Sequence, residues 1–131
     1  MTRPFKTTLL DQHLRKERQE NEKIRQQTLK QLLRALPQLA ARYGFARAYV
    51  FGSLTKKERF RKTSDVDLAV EGLTDEKYFT FMAELSGLMG REVDVIQIEK
   101  HHLKNRILET GLEWKRNNSP HSKRAFVISK S

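Results

Sequence analysis

Three aspartates in two strand-like segments are the residues whose types and spacing could do chemistry in this chain. Asp65 and Asp67 alternate with apolar residues in SDVDLAV, and Asp94 lies in EVDVIQI. Because side chains alternate across a strand, Asp65 and Asp67 point to one face, about 7 Å apart. Two carboxylates held that close repel each other and resist burial, so the spacing predicts a cation between them, and Mg²⁺ prefers such oxygen ligands.

Asp94 extends this cluster if its strand lies beside the strand that contains Asp67. Three carboxylates at one sheet edge can hold two metal ions about 3.5–4 Å apart, which suits in-line displacement at phosphorus. The competing interpretation is structural, because an isolated D-x-D pair is more often a set of strand-end carboxylates that face water. The aspartates therefore need support from a neighbouring motif.

A Gly-Ser pair before the first aspartate strand favours phosphate chemistry. Gly52 allows the backbone to approach a phosphate closely, and a helical turn after it would direct free N–H groups and the Ser53 hydroxyl at phosphate oxygens. The loop that follows, LTKKERFRKTS, is strongly basic. Within it, Lys56 and Lys57 are candidate ligands for the leaving pyrophosphate, and their alternative role is that of solvated loop residues.

The elements that must position these residues form an α/β or α+β pattern, with a small mixed sheet of three or more strands and helices packed on it. A long N-terminal helix is expected from Leu10, kinked or restarted at Pro37 and stopped by Gly44. Trp114 is expected to cover the edge of the core, and AFVIS near the C terminus is expected to be loose or to pair as an edge strand. The predicted strands are 46–51, 64–72 and 92–98, and the later helices are 74–90 and 102–111.

Composition limits the class of protein. The chain has 131 residues, no cysteine and a formal charge of +10. This length suits one domain, and the lack of cysteine excludes a disulfide framework and a thiolate metal site. Apolar runs fall far short of the ~20 residues that span a bilayer, and the start lacks a secretory segment. We therefore expect a cytoplasmic protein without a membrane partner.

The charge is unevenly distributed along the chain. Residues 1–47 carry +7, residues 48–99 carry −3 and residues 100–131 carry +6. The acidic middle contains the three aspartates. The basic ends predict contact with a partner protein or with nucleic acid, or they are solvated surface, and these alternatives stay open.

The stretch YVFGSLTKKERFRKTSDVDLAVEGL, followed by REVDVIQI and RILETGLEW, resembles the minimal nucleotidyltransferases (MNT) of the DNA polymerase β superfamily over roughly residues 30 to 115. The resemblance implies a polymerase β-like fold in which Gly52 and Ser53 contact nucleotide phosphates. It implies that Asp65 and Asp67 bind two Mg²⁺ ions, and that Asp94 bridges one ion and assists deprotonation of the attacking hydroxyl. The implied substrate is ATP or another NTP.

The resemblance also implies a partner. Members of this size are often the antitoxin of a pair with a HEPN ribonuclease toxin, and some transfer AMP to that toxin. We accordingly predict an MNT antitoxin that transfers a nucleotidyl group to a macromolecular acceptor, in a homo- or hetero-oligomer. The alternative is a catalytically weak module of the same fold that neutralises a partner protein or binds nucleic acid through its basic ends.

Two departures from the family pattern concern the loop between Ser53 and Asp65. Eleven residues separate Gly-Ser from the first aspartate where ten are usual, and LTKK lacks the glycine that commonly follows a basic residue there. An added loop residue costs the fold little but can displace Ser53 relative to the metals and weaken turnover. The predicted organisation is a polar helical arm (1–29), a nucleotidyltransferase domain (30–116) and a basic, flexible tail (117–131).

Overall fold

The computed structural model describes the backbone of residues 5–116 and 126–130 and the side chains of residues 8–116. It confirms the predicted fold class, a mixed sheet with helices packed on it and a long N-terminal helix. In chain order the elements are α1 (Phe5–Tyr43), β1 (Arg47–Phe51), β2 (Val66–Glu71), α2 (Asp75–Met89), β3 (Val93–Gln97), α3 (Lys104–Thr110), β4 (Leu112–Arg116) and β5 (Phe126–Lys130), with 3₁₀ turns at Gly52–Thr55 and Ile98–Lys100.

The described residues form a five-stranded sheet of order β3-β2-β1-β4-β5. β1 pairs antiparallel with β2 and β4, whereas β2 pairs parallel with β3, and α2 makes the crossover between them. This register makes Asp67 the partner of both Phe51 on β1 and Asp94 on β3. The two aspartates therefore lie on adjacent strands, as their grouping in one cluster requires.

One face of the sheet packs against α1 and α2 and forms the main core. Strand residues such as Val50, Leu68 and Val95 are fully buried there against Leu36 of α1 and Phe81 of α2. Because apolar residues on three neighbouring strands are buried together, this face fixes the register of β1, β2 and β3.

Trp114 lies within this core, so its predicted place at the core edge was wrong. It is fully buried and packs edge-on against Phe45, with 6.0 Å between ring centroids. The cause is β4, a strand that the mixed sequence LEWKR does not signal, which pairs with β1 and turns Trp114 inward. The edge strand that was one alternative for AFVIS is present, because residues 126–129 of this segment lie in β5 at the sheet edge. Residues 117–125 and 131 of the predicted flexible tail lie outside the described residues.

The opposite face of the sheet is covered more sparsely. Tyr49, Ala69 and Ile98 pack there against Ile107 of α3. Because side chains alternate along a strand, Phe51 shares this face with Tyr49, and Asp67 shares it with Ala69. α3 spans only seven residues. Because so short a helix covers little of this face, the start of β2, where Asp65 and Asp67 lie, stays accessible.

α1 runs as one helix through Pro37, so of the kink or restart predicted there, the restart does not occur. Buried leucines lie on either side of Pro37, namely Leu33, Leu36 and Leu39. Their packing offsets the cost of a proline inside a helix, which is ~3 kcal/mol because proline cannot donate the usual backbone hydrogen bond. Gly44, with φ of +80°, ends the helix as predicted. No helix in the part of the chain that the structure describes is both long and apolar enough to cross a membrane.

Candidate functional site

The acidic end of β2 brings the predicted carboxylates together. Asp67 and Asp94 are register partners on neighbouring parallel strands, about 4.8 Å apart along the hydrogen-bonding direction. Asp65 lies one residue before β2, and its side chain is exposed, whereas Asp67 is half-buried. The sheet therefore presents a pair of facing carboxylates with a third beside it.

None of the described residues supplies a cation that stabilises the ionised form of Asp67. Burial, together with the negative charges of Asp94 and Asp65, raises the pKa of Asp67 to about 6. A carboxyl with a raised pKa is one whose ionised form lacks a cationic partner. The site thus favours either a proton or a bound cation at Asp67.

The donor set fits a divalent ion that shares its coordination with substrate. Within residues 8–116, no group of three or more acidic or histidine side chains is already arranged as a metal cage. Mg²⁺ does not need one, because it is usually held by one or two carboxylates, with water and substrate phosphates completing an octahedron. Asp67 and Asp94 are the two residues best placed for that role, with Asp65 adjacent.

Gly52 lies in direct contact with this cluster. Its φ is +76°, and a Cβ built at this position would lie 2.3 Å from Oδ2 of Asp67. No side chain larger than hydrogen fits there without displacing the carboxylate. The glycine therefore does two things at once: it allows the chain to turn out of β1, and it lets the Asp67 carboxylate rest against the backbone.

The residues after Gly52 form a short 3₁₀ turn that contains Ser53. Thr55 donates from Oγ1 to the carbonyl of Gly52 at 2.8 Å, and the Lys56 N–H donates to the carbonyl of Ser53 at 3.1 Å. These bonds satisfy the carbonyls of the turn. Ser53 itself is only partly buried, so its hydroxyl is accessible next to the acidic cluster.

Two residues of α1, Glu22 and Arg25, fasten the loop that follows this turn. Arg25 donates through Nη1 to the carbonyl of Leu54 at 3.0 Å, and Oε1 of Glu22 accepts from the N–H of Glu58 at 2.9 Å. The two side chains also form a two-pronged ion pair, with Nε–Oε1 at 2.9 Å and Nη2–Oε2 at 2.6 Å. Hydrogen bonding from Arg25 lowers the pKa of Glu22 to about 2. We call this pair the helix clamp.

The far end of the same loop is anchored by Arg91 and Phe60. Arg91 donates through Nη1 to the carbonyl of Ser64 at 2.9 Å, and its guanidinium lies 4.7 Å from the centroid of the Phe60 ring. Phe60 is fully buried, so the middle of the loop is tied to the core. The loop with the additional residue is therefore held at its start, its middle and its end.

Sequence reasoning missed Glu22, Arg25 and Arg91. A Glu–Arg pair three residues apart on a polar helix is too common to indicate a tertiary contact, and Arg25 lies 29 positions from Leu54. The length of the loop was the available signal, because a longer loop needs more anchoring contacts, but the sequence did not indicate which residues would make them.

The structure separates the two candidate lysines. Lys56 lines a cleft together with Gly52 and Thr55, on the side of the turn that faces α3. Lys57 instead lines a different cleft against α1, beside Arg15 and Arg18. Of the two, Lys56 is the better placed to contact a phosphate held at Gly52.

Comparison with known proteins identifies the family of this chain. The model of the family described as polymerase beta, nucleotidyltransferase matches residues 27–118, well over half of the chain. The chain belongs to the polymerase beta nucleotidyltransferase family. A solved structure described as a candidate minimal nucleotidyltransferase is similar to it, with 31% identity, a TM-score of 0.56, and coverage of 65% of this chain and 91% of that one. No curated protein matches the sequence significantly.

The helix clamp lies outside the part of the chain that matches the family. The matched nucleotidyltransferase region begins at residue 27, after both Glu22 and Arg25. The residues of α1 that fasten the loop after Gly52 thus lie upstream of the region that the family pattern describes.

Proposed function

We propose that this nucleotidyltransferase catalyses Mg²⁺-dependent transfer of a nucleoside monophosphate from ATP or another NTP. The observation that carries the proposal is the pairing of Asp67 with Asp94, with Asp67 resting against Gly52. Two facing carboxylates to which the described residues bring no cation at Asp67, next to a glycine turn that can accept phosphate, suit a metal-bound nucleotide.

In the proposed reaction, an acceptor hydroxyl oxygen forms a bond to the α-phosphorus while the bond from that phosphorus to the β-phosphate oxygen breaks. Pyrophosphate leaves, and the hydroxyl proton passes to Asp94. Mg²⁺, held by Asp65, Asp67 and Asp94, would supply charge stabilisation for the attacking and leaving oxygens. Gly52 and Ser53 would bind the phosphates through backbone N–H groups and the hydroxyl, and Lys56 would neutralise part of their charge.

We further propose a macromolecular acceptor, with a HEPN toxin as the protein class. The described residues include no second domain that would enclose a small acceptor. The first turns of α1 instead expose Leu9, Leu10 and Leu14, which are 51%, 56% and 39% exposed. Exposed leucines on a projecting helix suit contact with a protein. In this proposal the protein is the antitoxin of the pair, and modification of the toxin is its mode of action.

The test is incubation of the protein with Mg²⁺ and ATP labelled either at the α- or at the γ-phosphate, with and without a HEPN protein encoded beside it. Nucleotidyl transfer predicts that label from the α-position alone becomes attached to the acceptor, and that the D65N/D67N double variant abolishes the transfer. Attachment of γ-label would indicate a kinase instead. Absence of any transfer, with tight binding of the partner retained in the double variant, would favour the binding module.

A further inference from the structure

A second, positively charged cleft adjoins the acidic cluster. It has a volume of about 330 Å³ and lies between the 3₁₀ turn after β1 and helix α3. Gly52, Thr55 and Lys56 line one side, and Leu103, Arg106 and Ile107 line the other. Arg106 is thereby brought opposite Lys56, although the two are far apart in sequence and only Lys56 is marked by the sequence pattern.

The composition of the cleft selects an anion. Lys56 and Arg106 enter it from two different elements, and none of its described lining residues is acidic. Both side chains are exposed at the cleft, so their charges are available to a ligand. Guanidinium groups bind phosphate oxygens in a forked, two-bond geometry, and a lysine adds a compact point charge.

The cleft and the acidic cluster meet at Gly52 and Phe51. Phe51 lines the cleft and is the register partner of Asp67, and Gly52 lines the cleft while lying against the carboxylate of Asp67. One side of this junction thus requires a cation and the other an anion. A metal-bound polyphosphate satisfies both at once, with its metal at the carboxylates and its far phosphates in the cleft.

We propose that Arg106, together with Lys56, binds the terminal phosphates of the nucleoside triphosphate. The inference rests on the proposed function in one respect, because the cleft would then also receive the pyrophosphate that leaves. Binding of the phosphates themselves does not require that any transfer takes place. Arg106 thus gives α3, which also covers one face of the sheet, a direct role at the substrate.

Binding measurements on the full-length protein test this assignment. The probes are inorganic tripolyphosphate, ATP and AMP, titrated by calorimetry with Mg²⁺ and again in EDTA. We expect Arg106→Gln to weaken tripolyphosphate and ATP about tenfold, the range for a lost hydrogen bond between charged groups, and to leave AMP within about twofold. Lys56→Gln, from the opposite wall, should give the same pattern. Lys104→Gln is the matched control, since Lys104 is exposed on α3 but does not line the cleft.

Two results would overturn the assignment. If Arg106→Gln binds tripolyphosphate as tightly as Lys104→Gln does, the cleft does not hold phosphates. If Arg106→Gln weakens AMP as much as ATP, the contact is to the nucleoside or to the α-phosphate. Failure of the proposed function looks different: wild type would then transfer no nucleotide to any acceptor, while Arg106→Gln would still weaken tripolyphosphate.

Discussion

At the scale of single residues, Gly52 and Asp67 form the contact on which the site depends. Their proximity results from two independent constraints, the positive φ at Gly52 and the register that sets Asp67 opposite Phe51. Sequence patterns predicted both residues, because glycine before a serine and alternating aspartates are local features. The contact between them was not predictable, since it depends on the antiparallel pairing of β1 with β2.

Replacing Gly52 with alanine should damage both stability and nucleotide binding. The added Cβ would lie 2.3 Å from the Asp67 carboxylate, so either the turn or the carboxylate must move. We expect a loss of ~2 kcal/mol or more in unfolding free energy, which combines backbone strain with the clash. Gly72→Ala is the matched control: φ there is +87°, but a Cβ would meet nothing within 4 Å. Equal destabilisation of the two variants in denaturant titrations would contradict the steric account.

Replacing Asp67 with asparagine should stabilise the metal-free protein. The pKa of Asp67 is raised to about 6 from 3.8, so the folded state binds this proton more tightly than the unfolded chain does. Wild-type stability is therefore expected to fall as the pH rises from about 4 through 6, and the variant should not show this loss. In EDTA at pH 7.5 we expect the variant to melt about 3–5 °C higher, and to match wild type below pH 4.

The control for this prediction is Asp75→Asn. Hydrogen bonds from Lys100 and Gln97 lower the pKa of Asp75, so its removal should give no gain in melting temperature. Addition of Mg²⁺ should raise the melting temperature of wild type and not that of Asp67→Asn. A metal response retained in Asp67→Asn would show that this carboxylate is not a ligand.

At the scale of elements, the loop between the 3₁₀ turn and β2 is positioned by parts of the chain remote in sequence. Glu22 and Arg25 hold its beginning, and Arg91 holds its end. The helices and the strands β1, β2 and β3 were predictable within a few residues, because their apolar spacing and terminal glycines are local signals. β4 was not, since in LEWKR only Trp114 is fully buried and polar residues surround it. The apolar character of Phe79 on α2 is likewise no guide to burial, because its side chain is 72% exposed.

Loss of the helix clamp should loosen this loop and weaken substrate binding. Glu22→Gln removes the charge that pairs with Arg25, and we expect about 1–2 kcal/mol lower stability and faster proteolysis between residues 55 and 64. The effect should depend on pH with a defined sign. The pKa of Glu22 is lowered from 4.5 to about 2, so the stability it provides is full above about pH 4.5 and is lost as the pH falls towards 2.

Glu20→Gln serves as the control, because Glu20 is exposed on the same helix. In kinetic assays we expect Glu22→Gln to raise KM for the NTP more than it lowers kcat, as suits a positioning residue. A variant that loses stability without any change in KM or in loop proteolysis would show that the pair stabilises α1 alone.

At the scale of the whole molecule, the long helix α1 belongs to both the core and the periphery. Its second half packs with the sheet, with Leu32 and Leu36 fully buried, whereas its first turns expose Leu9 and Leu14. The predicted division at residues 29 and 30 remains a prediction, and the helix passes through it without a break.

Two truncations would test that division. Removal of residues 1–17 leaves Glu22, Arg25 and the core-packed Ile24 in place, so unfolding free energy and nucleotide affinity should stay close to those of the full chain. Removal of residues 1–29 deletes the helix clamp and buried Thr28, and both quantities should drop. Equal behaviour of the two truncated proteins in melting and titration experiments would show that α1 upstream of residue 30 is dispensable.

The helix clamp also has a thermodynamic consequence. Residues 22–25 can hold the loop only while that turn of α1 is helical. The stability of the helix at this turn and the order of the loop therefore depend on each other. If the loop binds phosphate as proposed, a molecule that binds the leucines at the start of α1 and extends its helicity to the clamp would raise the affinity of the loop for that phosphate. By reciprocity, a nucleotide bound there would strengthen binding at the leucines by the same free energy.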